Sequence, residues 1–243
     1  MNNRIMDSVR MNEGDGAKVR RLFPFDRHVL AADPFVLWDD FMIKPGAGFP
    51  AHAHRGFEAI TYLFNGTMEH ADNLGNRSTV TNGGAQRFTA GKGIQHSEMP
   101  GSDGETTGIQ LWINLPRRLK DIEPDYQQVD AKDIPVIEED GVVIRQIVGN
   151  QSPLQLHSAV EYADLQITAG TEHAVSIKTS MQGVIYVHDG NVSILGETVH
   201  AGQAYFVSGE DNIIVKTDTN SRLLTAFGIP HNESVHLTGG FVD

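Results

Sequence analysis

Two short segments of this chain have the residue types and the spacing to hold a metal ion: His52-Ala53-His54 and His96-Ser97-Glu98. On a β-strand alternate side chains share a face, so His52 and His54 project together, and so do His96 and Glu98. Two such pairs on facing strands surround one ion with three nitrogens and one oxygen. That donor set suits Fe(II), Mn(II), Ni(II), Cu(II) or Zn(II), and softness alone does not choose among them. A lone His-x-His is common by chance, whereas two ligand pairs flanked by glycine turns point to a single mononuclear centre. The chain contains no cysteine, which excludes disulfides, thiolate zinc sites, iron–sulfur clusters and cysteine nucleophiles. Histidine and carboxylate remain as the strong ligands.

Several neighbours of these segments invite a role. Glu58 follows His54 closely and, on a regular strand, shares the histidines' face. Phe49, Phe57, Met68, Trp112 and Ile113 suit ordinary core, with the mouth of an apolar cavity as the alternative. Arg55 is expected in an exposed ion pair. His70, beside Glu69, is expected at the surface.

Strands are what must carry these residues. Segments rich in Val, Ile, Phe and Tyr run over Phe35–Ile43, Phe57–Phe64, Gly108–Leu115, Val142–Val148, Tyr162–Ile167, Gly183–His188, Gln203–Val207, Asn212–Lys216 and Leu223–Gly228. Asn65-Gly66, Asn82-Gly83-Gly84 and Asp189-Gly190 separate them with the positive φ angles that tight hairpins need. Helical periodicity is weak, and its best candidate is the brief Pro116–Asp121. Many short strands without helices predict an all-β fold. Glu123–Asp140, with prolines at 124 and 135, predicts a connector.

The two sides of that connector look like a worn repeat. Leu63-Phe64-Asn65-Gly66 matches Val187-His188-Asp189-Gly190, and Gly84-Ala85-Gln86-Arg87-Phe88 matches Gly202-Gln203-Ala204-Tyr205-Phe206. Two antiparallel β-barrels follow, over residues 1–130 and 131–243. Counting from the paired glycines places Ser176, Lys178, Ile214 and Lys216 where His52, His54, His96 and Glu98 stand. Lysine repels a cation, so the second barrel is expected to lack a metal.

Composition narrows the partners. Of 243 residues, 40% are hydrophobic, with 25 Gly and 10 Pro, which fits a globular, turn-rich protein. A net charge of −12 repels phosphate backbones and anionic lipid, so nucleic acid and membrane are poor partners. No apolar run suits a signal peptide or a membrane span, and a cytoplasmic location is expected.

The motifs resemble the pirin family of the cupin superfamily. Asp33–Phe41 is similar to the family's opening signature, and Phe49–Glu58 and Thr89–Pro100 to its two metal-binding segments. Gln110–Pro116 and Pro124–Gln127 follow in the expected order, and Gly239-Gly240-Phe241-Val242 looks like a clipped closing segment. The resemblance implies a bicupin, two packed antiparallel β-barrels, with Fe(II) on His52, His54, His96 and Glu98. It also implies two roles. One is quercetin 2,3-dioxygenase activity, in which a flavonol and O₂ occupy the ion's open positions and the ion acidifies the flavonol hydroxyl. Glu98, or else Glu58, accepts that proton; the other duty of Glu58 would be to fix a histidine N–H. The second role is a non-catalytic, metal- or redox-dependent interaction with a protein partner. A metal-dependent isomerase or hydrolase is a third reading, since one scaffold carries many chemistries.

Overall fold

The structure, a computed structural model, describes residues 4–23, 32–102, 104–209 and 212–243. Among the described residues it is all-β, and the one helical turn is the 3₁₀ segment Arg117–Leu119. That turn has no buried residue, so nothing extends the helix expected over Pro116–Asp121. Among the described residues no helix is long and apolar enough to cross a membrane.

Each half pairs a seven-stranded sheet with a four-stranded one. The large N-terminal sheet runs in the order Asp125–Val129, Ala85–Thr89, Phe57–Asn65, Thr106–Asn114, Phe35–Ile43, Ala17–Phe23, Val9–Glu13. The small N-terminal sheet runs Phe49–His54, Ile94–Pro100, Thr67–Asp72, Arg77–Thr81. The C-terminal half repeats the plan, with Glu172–Ser176 and Asn212–Lys216 in its small sheet. All nine strand segments expected from the sequence form, with ends displaced by at most two residues.

One expectation gives way. Half of the connector Glu123–Asp140 is itself strand: Asp125–Val129 edges one large sheet and Val136–Glu139 the other. Pro124 and Pro135 sit immediately before these strands, where their missing N–H interrupts no ladder. The division at residue 130 is crossed twice. Ile5–Asp7 pairs with the strand at Gln203–Ser208, in the C-terminal sheet, and the last residues fold back on the N-terminal half. The charged strands before residue 23 escaped the sequence reading because Val9–Glu13 is an edge strand that buries little.

The two large sheets face each other across the largest apolar cluster, to which Trp38, Ile60, Tyr62 and Leu111 contribute from one side and Tyr162, Val184, Tyr186 and Leu224 from the other. Trp38 lies 5.2 Å from the Tyr186 ring and 6.1 Å from that of Tyr162, centroid to centroid. Two tyrosine hydroxyls cross this boundary as a matched pair. Tyr62 donates to Asp164 and Tyr186 to Asp40, each at 2.8 Å. Tyr186 and Asp164 stand at one constant offset from Tyr62 and Asp40, the same that relates Gly190 to Gly66. The outward faces of the large sheets thus preserve the repeat. The strand Phe35–Ile43 is buried on both faces apart from Met42, because Trp38 and Asp40 look toward the other half while Leu37, Asp39 and Phe41 look into a cavity.

The inward faces have diverged. Inside the C-terminal half Val175, Ile177, Ile213 and Val215 are buried in a single hydrocarbon cluster. Ser176, Lys178, Ile214 and Lys216 point away: Ser176 bonds Asn212, Lys178 pairs with Glu161, Lys216 pairs with Glu172, and Ile214 is exposed. The glycine-anchored alignment is therefore off by one residue at each of these strands. A one-residue shift flips a strand's whole face. Repelling lysines do not occupy these positions; hydrocarbon with no ligand atom fills them.

Candidate metal centre

The strand Phe49–His54 ends at Arg55-Gly56, where Gly56 takes φ +84° and a Cβ would lie 1.9 Å from the Val242 carbonyl oxygen. Only glycine passes so close to another backbone. The strand lies antiparallel to Ile94–Pro100, with His52 opposite His96. Alternation then turns His52, His54, His96 and Glu98 to one side, as the sequence spacing requires.

His52 and His96 approach to 3.2 Å, Nε2 to Nε2. The ring centroids of His52, His54 and His96 lie 4.6 to 5.0 Å apart. The Nδ1 of His52 is engaged by the Pro50 carbonyl at 2.7 Å, and that of His54 by the Gly240 carbonyl at 3.1 Å. A ring N–H donated to a carbonyl leaves the lone pair on Nε2, the form in which histidine binds metals. Burial, followed by the neighbouring imidazoles, pulls His54 down to about 3 and His96 to about 2. Both are neutral at pH 7, with lone pairs free.

Ligand atoms of His52, His54 and His96 lie within 4.8 Å of one another, and so do those of His70, His96 and Glu98. The trios share His96, and Glu98 falls in the second. Glu98 is 2% exposed. Its Oε1 accepts from Gln86 Nε2 and, at 2.8 Å, from the Thr61 hydroxyl; its Oε2 accepts from Gln110 Nε2 at 2.9 Å. Among the described residues no lysine or arginine pairs with it. A buried carboxylate held only by neutral donors, beside three clustered imidazoles of which His54 and His96 are neutral, is a donor set that fits a divalent cation.

The centre opens on a cavity of about 580 Å³. Leu37, Phe41, Phe49, Met68 and Trp112 form its apolar walls, and Thr61 and Gln110 add polar atoms near Glu98. The far wall carries Arg21, bonded to Asp39 and Glu13. Of the five residues expected in ordinary core, with an apolar mouth as the alternative, Phe49, Met68 and Trp112 line the cavity. Phe57 instead stacks under Trp112 at 4.1 Å, and Ile113 is buried between the large sheets.

Other expectations need correcting. Glu58 does not share the histidines' face, because the strand breaks at Gly56 and Glu58 belongs to the next strand, Phe57–Asn65 of the large sheet. It is fully buried, accepts from Thr89 at 2.9 Å and from the backbone N–H groups of His157 and Ser158, and meets His157 Nδ1 at 3.0 Å. That makes it a tie between the halves, absent from the cavity lining. His70 is not at the surface: it is 2% exposed, stacked on Tyr126 and bonded to Asp72. Its strand, with Met68 and His70 buried and Glu69 exposed, shows the alternation that could have located it. Arg55 pairs with Asp243, an exposed ion pair as expected. The sequence gives no role to Thr61, Gln86 and Gln110, polar residues set in otherwise apolar strands, and it marks the C-terminal segment by its motif without its place at the site. That segment crosses the histidine strand through Arg55 N–H to Gly240 and Val242 N–H to Arg55, with Lys120 Nζ donating to the carbonyls of Gly56 and Val242.

Known proteins share this architecture. The Pirin family profile matches residues 16–113, and that of the pirin C-terminal cupin domain matches residues 162–243. A pirin-like protein of Solanum lycopersicum is 37% identical over 241 residues, covering 95% of this chain and 82% of the relative. One from Caulobacter vibrioides is 35% identical over 252 residues, covering 98% and 91%. Among solved structures, a quercetin 2,3-dioxygenase from Acinetobacter baumannii superposes with a TM-score of 0.91 at 28% identity, covering 98% of this chain and 90% of that one. A bacterial pirin from Escherichia coli in complex with nickel(II) gives 0.77 at 25% identity, covering 93% and 98%. With both of its halves matched and its His–Glu cluster in place, the chain belongs to the pirin family.

Proposed function

We propose that this pirin holds one divalent transition ion on His52, His54, His96 and Glu98, Fe(II) in its native state, and is an O₂-dependent oxidoreductase of quercetin 2,3-dioxygenase type. The observation that carries the reading is three clustered imidazoles, two of them held neutral by burial, and a cation-free buried carboxylate at one end of an apolar cavity of about 580 Å³. Cavities of roughly 300–1,000 Å³ hold ligands of three-ring size. The likeness to the Acinetobacter baumannii enzyme supports a flavonol-like substrate. When bound, the ion would supply Lewis acidity toward an enolic hydroxyl and a redox partner for O₂.

The chain's own residues divide the remaining work. Leu37, Phe41, Met68 and Trp112 give apolar faces for a flat ring system and exclude water from it. Glu98 is the carboxylate placed to take the substrate hydroxyl proton, with Gln110 holding Oε2 in position. Glu58 is assigned no catalytic part, since it does not line the cavity and instead ties the halves together through His157 and Ser158. The test is turnover of quercetin, with carbon monoxide release, by protein loaded in turn with Fe, Mn, Ni and Cu. Turnover that requires the loaded ion and O₂ is expected; none by any fully loaded form would contradict the enzyme.

A non-catalytic, metal-dependent interaction role draws its support from the C-terminal half, whose inward positions are hydrocarbon and hold no donor set. A protein partner captured equally by wild type and by His52→Ala would contradict the metal dependence.

A further inference from the structure

We propose that His70 and Asp72 form a hydrogen-bonded relay behind His96, holding it in the tautomer and orientation that bind the ion. The inference rests on the metal reading above.

The strand Thr67–Asp72 lies beside Ile94–Pro100 on the side away from His52, with Asp72 opposite His96 and His70 opposite Glu98. The side chains of His70 and Asp72 are completely buried, and His70 Nε2 lies 3.1 Å from Asp72 Oδ2. Asp72 is itself fixed: Oδ1 accepts from the backbone N–H groups of Leu74 and Asn76 at 3.0 Å, and Oδ2 from Asn76 Nδ2 at 2.8 Å. A carboxylate so placed accepts the Nε2–H of His70, which leaves the lone pair of His70 on Nδ1. That atom is buried and has no partner.

His96 presents the complementary problem. Its Nε2 faces His52, so a metal bound there puts the ring proton on Nδ1. This second nitrogen is also buried without a partner. The two rings thus bring one acceptor without a donor and one donor without an acceptor, with centroids 5.4 Å apart. A linear N–H···N bond of roughly 3 Å between two imidazoles sets their centroids about 5 Å apart. Loading the site therefore completes a chain from the ion through His96 and His70 to Asp72. Histidine ligands characteristically donate their second N–H in this way, most often to a carboxylate or carbonyl. Here another imidazole stands between ligand and carboxylate.

Tyr126 ties the relay to the fourth ligand. Its ring stacks on His70 at 4.2 Å, and its hydroxyl donates to Gln86 Oε1 at 2.9 Å, the residue whose Nε2 holds Glu98.

The test uses the full chain, stripped with a chelator and titrated with Co(II). His70→Phe keeps a ring against Tyr126 and removes both nitrogens; Asp72→Asn keeps shape and removes charge. Expected are Co(II) affinity about 10- to 100-fold weaker for His70→Phe, a smaller loss for Asp72→Asn, and a shifted cobalt absorption spectrum in both. A packing role alone would lower the apo melting temperature and leave affinity and spectrum of the folded protein unchanged. His70→Phe binding Co(II) within about twofold of wild type, with the wild-type spectrum, overturns the relay and leaves the metal centre standing. If His70→Phe does not fold, the same result for Asp72→Asn overturns it. Wild type that binds no Co(II) overturns both.

Discussion

His54 and His96 are neutral in the folded protein, and this has a measurable cost in acid. Their folded pKa values, about 3 and about 2, lie far below the 6.5 of a free imidazole. The unfolded chain therefore binds more protons wherever the pH lies between those limits. The stability these groups contribute is complete above pH 6.5 and is lost as pH falls toward the folded values. Lowering the pH from 7 to 5 favours the unfolded state by about 2 kcal/mol for each such imidazole. The figure depends on the unfolded pKa alone, provided the folded one stays well below 5. The pair together costs about 4 kcal/mol, against a usual total of roughly 5–15 kcal/mol. His54→Phe keeps a ring against Phe57, Phe88 and Trp112 and deletes one proton site. Burial is the largest cause of the His96 depression, so His96 stays neutral in the variant. Urea unfolding of chelator-treated protein at pH 7 and pH 5 measures the difference. The loss of stability between the two pH values shrinks by about 2 kcal/mol in His54→Phe. An equal loss in wild type and variant would mean that His54 carries its proton in the folded state, and the neutral cluster would be refuted.

Other perturbations separate the parts of the structure. Deleting residues 238–243 removes the Gly240 carbonyl from His54 and Val242 from the core; Ni(II) affinity by titration calorimetry should fall by at least about tenfold. Trp38→Ala opens the interface between the large sheets and should cost about 3–5 kcal/mol in denaturant unfolding, with the metal stoichiometry of the folded protein unchanged. Glu58→Gln weakens the tie to His157 and should cost about 1–3 kcal/mol while turnover per bound ion stays at the wild-type value; a collapse of kcat with stability intact would return Glu58 to catalysis.

The parts legible in the sequence were those governed by local rules. The strand period of two placed His52 with His54 and His96 with Glu98 on one face, and Asn65-Gly66 and Asp189-Gly190 marked real turns. What failed depended on partners distant along the chain. Glu58 stands four residues from His54, yet the turn at Gly56 delivers it to a different sheet and to His157. His70 resembled a surface histidine because its stabilising partners, Asp72 and Tyr126, are visible only once the strands pair. The repeat could be counted from its glycines on the large sheets, where Tyr62 and Tyr186 still match. Connections one residue longer or shorter changed which side chains the C-terminal small sheet turns inward. The crossing of the N-terminal half by the last residues has no local signature, since it rests on Gly56 and Gly240 letting two backbones approach.

Metal analysis of the full chain, purified and then reconstituted anaerobically with Fe(II), tests the central claim most directly when run beside His52→Ala, His54→Ala, His96→Ala and Glu98→Ala. One ion per chain in the wild type, with occupancy lost in each folded variant, is the expected result. A wild-type chain that retains no ion, or a Glu98→Ala chain as fully loaded as the wild type, would contradict it.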